Sequence, residues 1–254
     1  MNDWRRQADQ LNAVGYLQQF SDMAMNMCVP FWWSSGPRGG AQVRQNGSLC
    51  YVNTGARRIA ITADHVYAGY LAEKAAHEEV ECQFGGSTVE PEGRLIARSE
   101  KYDLATFDVP EVFVSASFRQ VYHHNALKWP PDPIQARDVA LHGGFPQVLR
   151  NPRTNEVDFP FQWFATRVND ANDQRISLDP DIPNVHWPGH EGERINDQFH
   201  GQSGGPVYRV IDANPERGEV VDRLEFVGII YNRVMELVLA RPAGLIKEDG
   251  TIVA

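Results

Sequence analysis

The chain has 254 residues, of which 42% are hydrophobic and 22% charged, enough to bury a sizeable core and unlike a disordered or fibrous protein. With a net charge of -9 at pH 7 it lacks the excess of cations that tracks phosphates, which argues against nucleic acid as a partner. No apolar run approaches the ~18 residues of a spanning helix, which argues against a membrane partner.

The N-terminus, "MNDWRRQADQLNAVGYLQQF", has no unbroken apolar core of the kind a secretory signal needs, so a cytoplasmic location is expected. Trp4, Ala8, Leu11, Val14, Leu17 and Phe20 recur at spacings of three and four with Asp3 available as a cap. That pattern predicts an amphipathic helix over 3–20, within an N-terminal extension of residues 1–26. From Asn46 onward the texture changes to short runs rich in Val, Ile, Tyr and Phe, punctuated by Gly, Asn, Asp and Pro. "GSLCYV", "RIAITA", "EVECQF", "GRLIARS" and "DLATFDV" read as antiparallel strands of a first lobe, residues 27–115, interrupted by a helix in "VYAGYLAEKAAHEE". The strand rhythm lapses before "KWPPDP", which marks a connection at residues 116–134. "DVALHG", "FPFQWFATRV", "QRISLD", "GPVYRV" and "EFVGIIY" follow in a second lobe, residues 135–254. So many short strands predict an all-β barrel or sandwich. Cys28, Cys50 and Cys82 form no CxxC pair, so neither a disulfide framework nor a zinc knuckle is expected. His186 and His190 sit among Pro and Gly in "HWPGHEGE" and are read as loop residues, with no metal site.

The stretch "FHGQSGGPVYR" surrounds Ser203 with glycines. A serine hydroxyl is a weak nucleophile near neutral pH and needs a base within reach and donors for the oxyanion it creates. Gly201, with no side chain, can aim its amide beside that of Ser203 into one concavity. "GQSGG" also fits the serine turn of α/β-hydrolases, but there the histidine follows the serine, and the last histidine here is His200. Upstream, His65 in "RRIAITADHVYAGY" stands where a strand gives way to a helix, and Asp103 in "RSEKYDLATFDV" leads into an apolar strand. A carboxylate there suits a position behind an imidazole.

"ITADHV", "YDLATF" and "GQSGGPV" resemble the three signature segments of trypsin-like serine peptidases, and their order and spacing agree. "NGSLCYV", "LHGGFP" and "FVGIIY" add to a resemblance that covers roughly residues 46–245. It implies the chymotrypsin double barrel, two antiparallel six-stranded β-barrels, and an endopeptidase without metal or organic cofactor acting on a protein or peptide. It implies that Ser203 is the nucleophile, His65 the general base, Asp103 its orienting acid, and the amides of Gly201 and Ser203 the oxyanion donors. An esterase with the same triad, or a silent peptide-binding module, would share these features.

The sequence departs from secreted trypsins in two places. Gln202 replaces the acid before the serine, and Val66 rather than cysteine follows His65. Both departures resemble bacterial intracellular members, in which a regulatory protein partner or loop ordering gates activity. Asp197 lies six residues before Ser203, where trypsins place the acid that reads Lys or Arg. Tyr231, Asn232 and Arg233 border the opposite wall, where Arg233 would neutralise Asp197 or favour an acidic side chain.

Overall fold

Strand pairing sorts most of the described chain into two β-structures. The computed structural model describes residues 26–36, 43–109, 122–123, 129–152, 157–179, 200–211, 223–234 and 237–254. The helix expected at 3–20, Asp197, His186 and His190 lie outside them, as does most of the expected connection at 116–134.

The first structure is a sheet in the order β5-β4-β1-β2-β3-β7-β6. Its strands are β1 (Cys28–Ser35), β2 (Val43–Asn53), β3 (Arg58–Thr62), β4 (Val80–Phe84), β5 (Ser87–Thr88), β6 (Leu95–Ser99) and β7 (Leu104–Asp108). All these pairings are antiparallel, and β8 (Tyr122–His123) adds a short parallel pairing to β2. The helix α1 (Asp64–Ala76) enters between β3 and β4. It buries Val66, Tyr67 and Tyr70 against an aromatic cluster in which Tyr67 meets Phe107 edge-on at 5.2 Å and Phe31 meets Trp33 at 5.7 Å. Such ring pairs contribute about 0.5–1.5 kcal/mol beyond the area they bury, so α1 is held firmly at the end that carries His65.

The second structure is a closed six-stranded barrel, β12-β13-β16-β15-β14-β9. It is built from β9 (Val139–Gly144), β12 (Gln162–Ala171), β13 (Ile176–Asp179), β14 (Pro206–Ile211), β15 (Arg223–Val234) and β16 (Leu237–Pro242), with a small hairpin of β10 (Asn151–Pro152) and β11 (Val157–Asp158) beside it. Along β12 every second residue, from Gln162 to Val168, is buried, the period-two pattern of a strand with one face in a core. Phe164, Val168, Ile176, Leu178, Val207 and Ile230 fill that core.

Two closed barrels are expected from the sequence, and only the second lobe closes among the described residues. In the first, β5 and β6 remain as separate edges. The chain between them turns through a short 3-10 helix, Pro91–Arg94, and a proline nitrogen has no hydrogen to give to a ladder. β5 is only two residues long, so little strand is left to pair with β6.

A third apolar cluster joins the lobes, with Cys28, Cys50, Ile59 and Leu104 from the first and Leu141, Phe145, Tyr208 and Phe226 from the second. The C-terminal segment returns to the first lobe, where Thr106 Oγ1 donates to Gly250 O at 2.7 Å and Thr54 Oγ1 to Glu248 O at 2.6 Å. No helix among the described residues is long and apolar enough to cross a membrane.

Candidate active site

β3 ends at Thr62 and α1 begins at Asp64, so His65 occupies the first helical turn with its side chain about half exposed. Its neighbour Asp64 is buried and gripped from both oxygens: Arg98 Nε donates to Oδ1 at 2.8 Å and Nη2 to Oδ2 at 2.9 Å. That fork fixes the start of the helix.

Asp103 stands in the turn between β6 and β7 with φ at 52°, a left-handed conformation that aspartate tolerates better than most residues. The turn points its carboxylate at His65 twice. Oδ1 accepts the His65 backbone N–H at 2.9 Å, and Oδ2 lies 2.8 Å from Nδ1. A carboxylate oxygen only accepts, so Nδ1 carries a proton, and it is Nε2 that holds the lone pair whenever the imidazole is neutral.

Ser203 lies in a turn whose shape needs two glycines. Gly204 has φ at 89°, and a Cβ there would fall 1.9 Å from Ser48 O. Gly201 has φ at 95°, with Phe145 O 2.5 Å from where a Cβ would sit. The turn is bound to the second lobe by Gly204 N–H donating to Ile230 O at 2.7 Å and Ile230 N–H donating to Gly205 O at 2.8 Å. It is also bound to the first lobe. Ser48 N–H donates to Ser203 O at 2.7 Å, Ser48 Oγ to Gly201 O at 2.8 Å, and Cys50 Sγ to Gly204 O at 3.0 Å. Among the described residues the Gly201 and Ser203 N–H groups have no acceptor, so both stand ready as donors.

His65, Asp103, Gly201, Gln202 and Ser203 all line one cavity of about 870 Å³, with Trp33, Asn46, Gln147 and His200 around them. Tyr231, Asn232 and Arg233 form another side of it. Among the described residues no hydrogen bond joins the His65 ring to Ser203, and no cluster of His, Cys, Asp or Glu would hold a metal ion.

Several contributors carry no signal in the sequence. Ser48 is one; Asn46, whose Nδ2 donates to Phe145 O at 2.8 Å, is another. His142 on β9 is buried and stacked on Phe164 at 5.3 Å, and neither ring nitrogen has a hydrogen-bond partner among the described residues. Burial lowers its pKa from 6.5 to about 3. A histidine followed by two glycines at a strand end, "LHGGFP", looks the same whether it faces a core or solvent.

No protein-family model matches the sequence, and no curated protein matches it. Among solved structures the chain is similar to the active form of the Rv3671c protease from M. tuberculosis, at 17% identity and a TM-score of 0.50, covering 91% of this chain and 82% of that one. It is also similar to a chain in a structure reported for the intrinsically disordered Sesbania mosaic virus VPg protein, at 12% identity and a TM-score of 0.45, covering 85% and 91%. The likeness to the protease is one of fold, a chymotrypsin-like one.

Proposed function

We propose that the chain is a serine endopeptidase in which His65, Asp103 and Ser203 act together, suited to limited cleavage of a protein target. The observation that carries this reading is the two-point grip of Asp103 on His65, in the cavity that Ser203 shares with two amides lacking acceptors.

Ser203 Oγ attacks the carbonyl carbon of a peptide bond, and its proton passes to His65 Nε2. The carbonyl oxygen takes the negative charge and accepts hydrogen bonds from the Gly201 and Ser203 amides, each worth about 3 kcal/mol of barrier. As the intermediate collapses, the C–N bond breaks and Nε2 gives its proton to the departing amine. Water then attacks the acyl-enzyme by the same route and frees Ser203. Asp103 stays ionised throughout, holding the tautomer and facing the imidazolium when it forms. The reaction needs Nε2 within hydrogen-bonding reach of Oγ, a contact that catalytic sites commonly complete only with substrate bound.

A peptide is favoured over a simple ester by the edge of β15. β14 begins at Pro206, which pairs with Ile229, so beyond Ile230 the described ladder of β15 runs on β16 alone. An extended peptide can add to that open side. The missing His65–Ser203 contact favours a second reading, a silent peptide-binding module on the same fold.

Labelling with a fluorophosphonate separates the two readings. Native protein is expected to label at Ser203, and Ser203→Ala to abolish labelling and peptide cleavage while leaving stability within about 0.5 kcal/mol. Native protein that binds peptides and does not label would establish the binding module instead.

A further inference from the structure

We infer that the leaving-group end of the cavity selects a side-chain amide, Gln or Asn, on one of the first two residues after the cleaved bond, and that Gln45 and Gln147 read it. This rests on the peptidase reading above and adds the substrate class to it.

The end that takes the leaving chain follows from how the serine turn is held. Gly204 N–H donates to Ile230 O on β15, and Ser48 N–H on β2 donates to Ser203 O, each at 2.7 Å, so the turn lies between those two strands. The departing amine takes its proton from His65. Val66, the next residue, stands against Gly47 of β2, where a Cβ would fall 2.6 Å from both of its methyl groups. The chain that leaves with the amine therefore starts on the β2 side.

β2 has an open edge there. Tyr51 N–H donates to Met27 O at 2.9 Å, so odd-numbered residues of β2 bond towards β1 and even-numbered ones away from it, as the Ser48 bond to Ser203 shows. β3 pairs with β2 only from Cys50 onward. The Asn46 N–H and C=O thus face an edge with no strand paired to it among the described residues, and an extended chain can join it.

Two amides stand at that end. Gln147 Nε2 donates to Gln45 Oε1 at 3.3 Å, and both residues line the cavity half-buried. That bond leaves Gln45 Nε2 as a donor and Gln147 Oε1 as an acceptor, with no other hydrogen bond to either among the described residues. Rotating both amides end for end leaves the same complement, one donor and one acceptor. A primary amide presents a separate acceptor and donor, so Gln or Asn can bond to both at once; a carboxylate has no donor and an ammonium no acceptor. Asn46 does not compete, because its Nδ2 donates to Phe145 O at 2.8 Å and its Oδ1 accepts from Arg150 Nη1 at 3.4 Å.

The surroundings disfavour charge. Beyond His65, this end of the wall is completed by Trp33, Asn46, Gly47 and Val66, all uncharged, and Arg150 does not line the cavity. A carboxylate or ammonium placed here gives up water for neutral partners, an unfavourable exchange, whereas an amide exchanges like for like.

The test uses the full chain. Fluorophosphonate labelling first reports whether Ser203 is active. Internally quenched peptides that differ only at the first, or only at the second, residue after the cleaved bond, as Gln, Glu, Leu or Lys, then report selection. At one of those positions Gln is expected to exceed Leu and Glu by about fivefold to a hundredfold in kcat/KM, the range of two neutral hydrogen bonds. Gln45→Leu should cut that ratio by about threefold or more, and Gln45→Leu combined with Gln147→Leu should bring it to about one. A nitroanilide of the same acyl segment has no residue after the cleaved bond, so the loss should fall on the peptides. A double variant that loses nitroanilide cleavage as much as peptide cleavage would show a merely structural role and overturn the inference. A labelled native protein that cleaves the Leu or Glu peptide as well as the Gln peptide at both positions overturns it too, and leaves the peptidase reading standing. Native protein that neither labels nor cleaves any peptide removes the peptidase reading, and this inference with it.

Discussion

Ser48→Ala tests whether the first lobe holds the serine turn in place. The Ser48 hydroxyl accepts the Phe145 N–H at 3.0 Å and donates to Gly201 O at 2.8 Å. Alanine deletes both bonds and keeps the two that use the Ser48 backbone, to Ser203 O and from Thr62 Oγ1. Phe145 is buried, and the hole left by a hydroxyl is smaller than the ~30 Å³ share of a water molecule, so its N–H gains no substitute. An orphaned buried donor costs about 1–3 kcal/mol. Gly201 is only half-buried, so its carbonyl recovers water and the loss there is the net worth of one bond, about 0.5–1.5 kcal/mol. The total of about 1.5–4.5 kcal/mol corresponds to a fall in Tm of roughly 3–18 °C for a chain of this length. Thermal and urea denaturation measure it, and fluorophosphonate labelling should slow in parallel because the Gly201 carbonyl is no longer pinned. A Tm within about 1 °C of the native value, with unchanged labelling, would refute the idea that the seam between the lobes fixes the turn.

Two further perturbations probe the support of His65 and the interior of the barrel. Arg98→Gln should leave the buried Asp64 carboxylate without its guanidinium fork and destabilise the protein by about 3 kcal/mol; a change under about 0.5 kcal/mol in urea unfolding would show that the pair carries little. For His142 the free imidazole titrates at 6.5 and the folded one at about 3. Between those values the unfolded chain takes up a proton that the folded chain refuses, so stability falls as pH drops from 6.5 towards 3 and is fully present above 6.5. The contribution is up to about 1.4 kcal/mol per pH unit. His142→Leu should flatten that part of the acid slope, and a variant as acid-sensitive as the native protein between about pH 6 and 4 would refute the assignment.

The sequence shows what is local and hides what depends on distant pairing. The strand-to-helix step at His65 is readable because "RIAIT" has the β-branched residues of a buried strand and "DHVYAGYLAEKAA" those of a helix. Observed α1 begins at Asp64 and ends at Ala76, a little ahead of the stretch marked in the sequence at both ends. The open edge of the first lobe is less visible, since closure depends on whether β5 and β6 meet, and no residue in either strand records its partner. Ser48 is harder still. Its hydroxyl acts on Gly201, 153 residues away, and nothing in "NGSLCYV" separates it from a surface serine. Glycines can be read as permissive, but that a Cβ on Gly204 would strike Ser48 O follows only from how the lobes dock. His142 reads as an ordinary histidine because its distinguishing property, burial inside the core, belongs to the barrel as a whole.

The placement of the serine turn also bears on the contact absent between His65 and Ser203. His65 and Asp103 are carried by the first lobe, and Ser203 precedes a strand of the second. If the turn were anchored to its own lobe alone, bringing the two groups together would require the lobes to move. It is not so anchored: Ser48 and Cys50 of β2 hold the carbonyls of Gly201, Ser203 and Gly204, while Gly204 N–H holds β15. Sliding one lobe past the other would break several of these bonds, each worth about 0.5–1.5 kcal/mol. The freedom left to close the gap is rotation of two side chains between staggered wells, which takes picoseconds to nanoseconds for exposed groups. Labelling by a fluorophosphonate should therefore follow a single exponential with no lag at any reagent concentration. A lag, or a rate that saturates at a slow first-order step, would show that the backbone must rearrange before the imidazole and the hydroxyl meet.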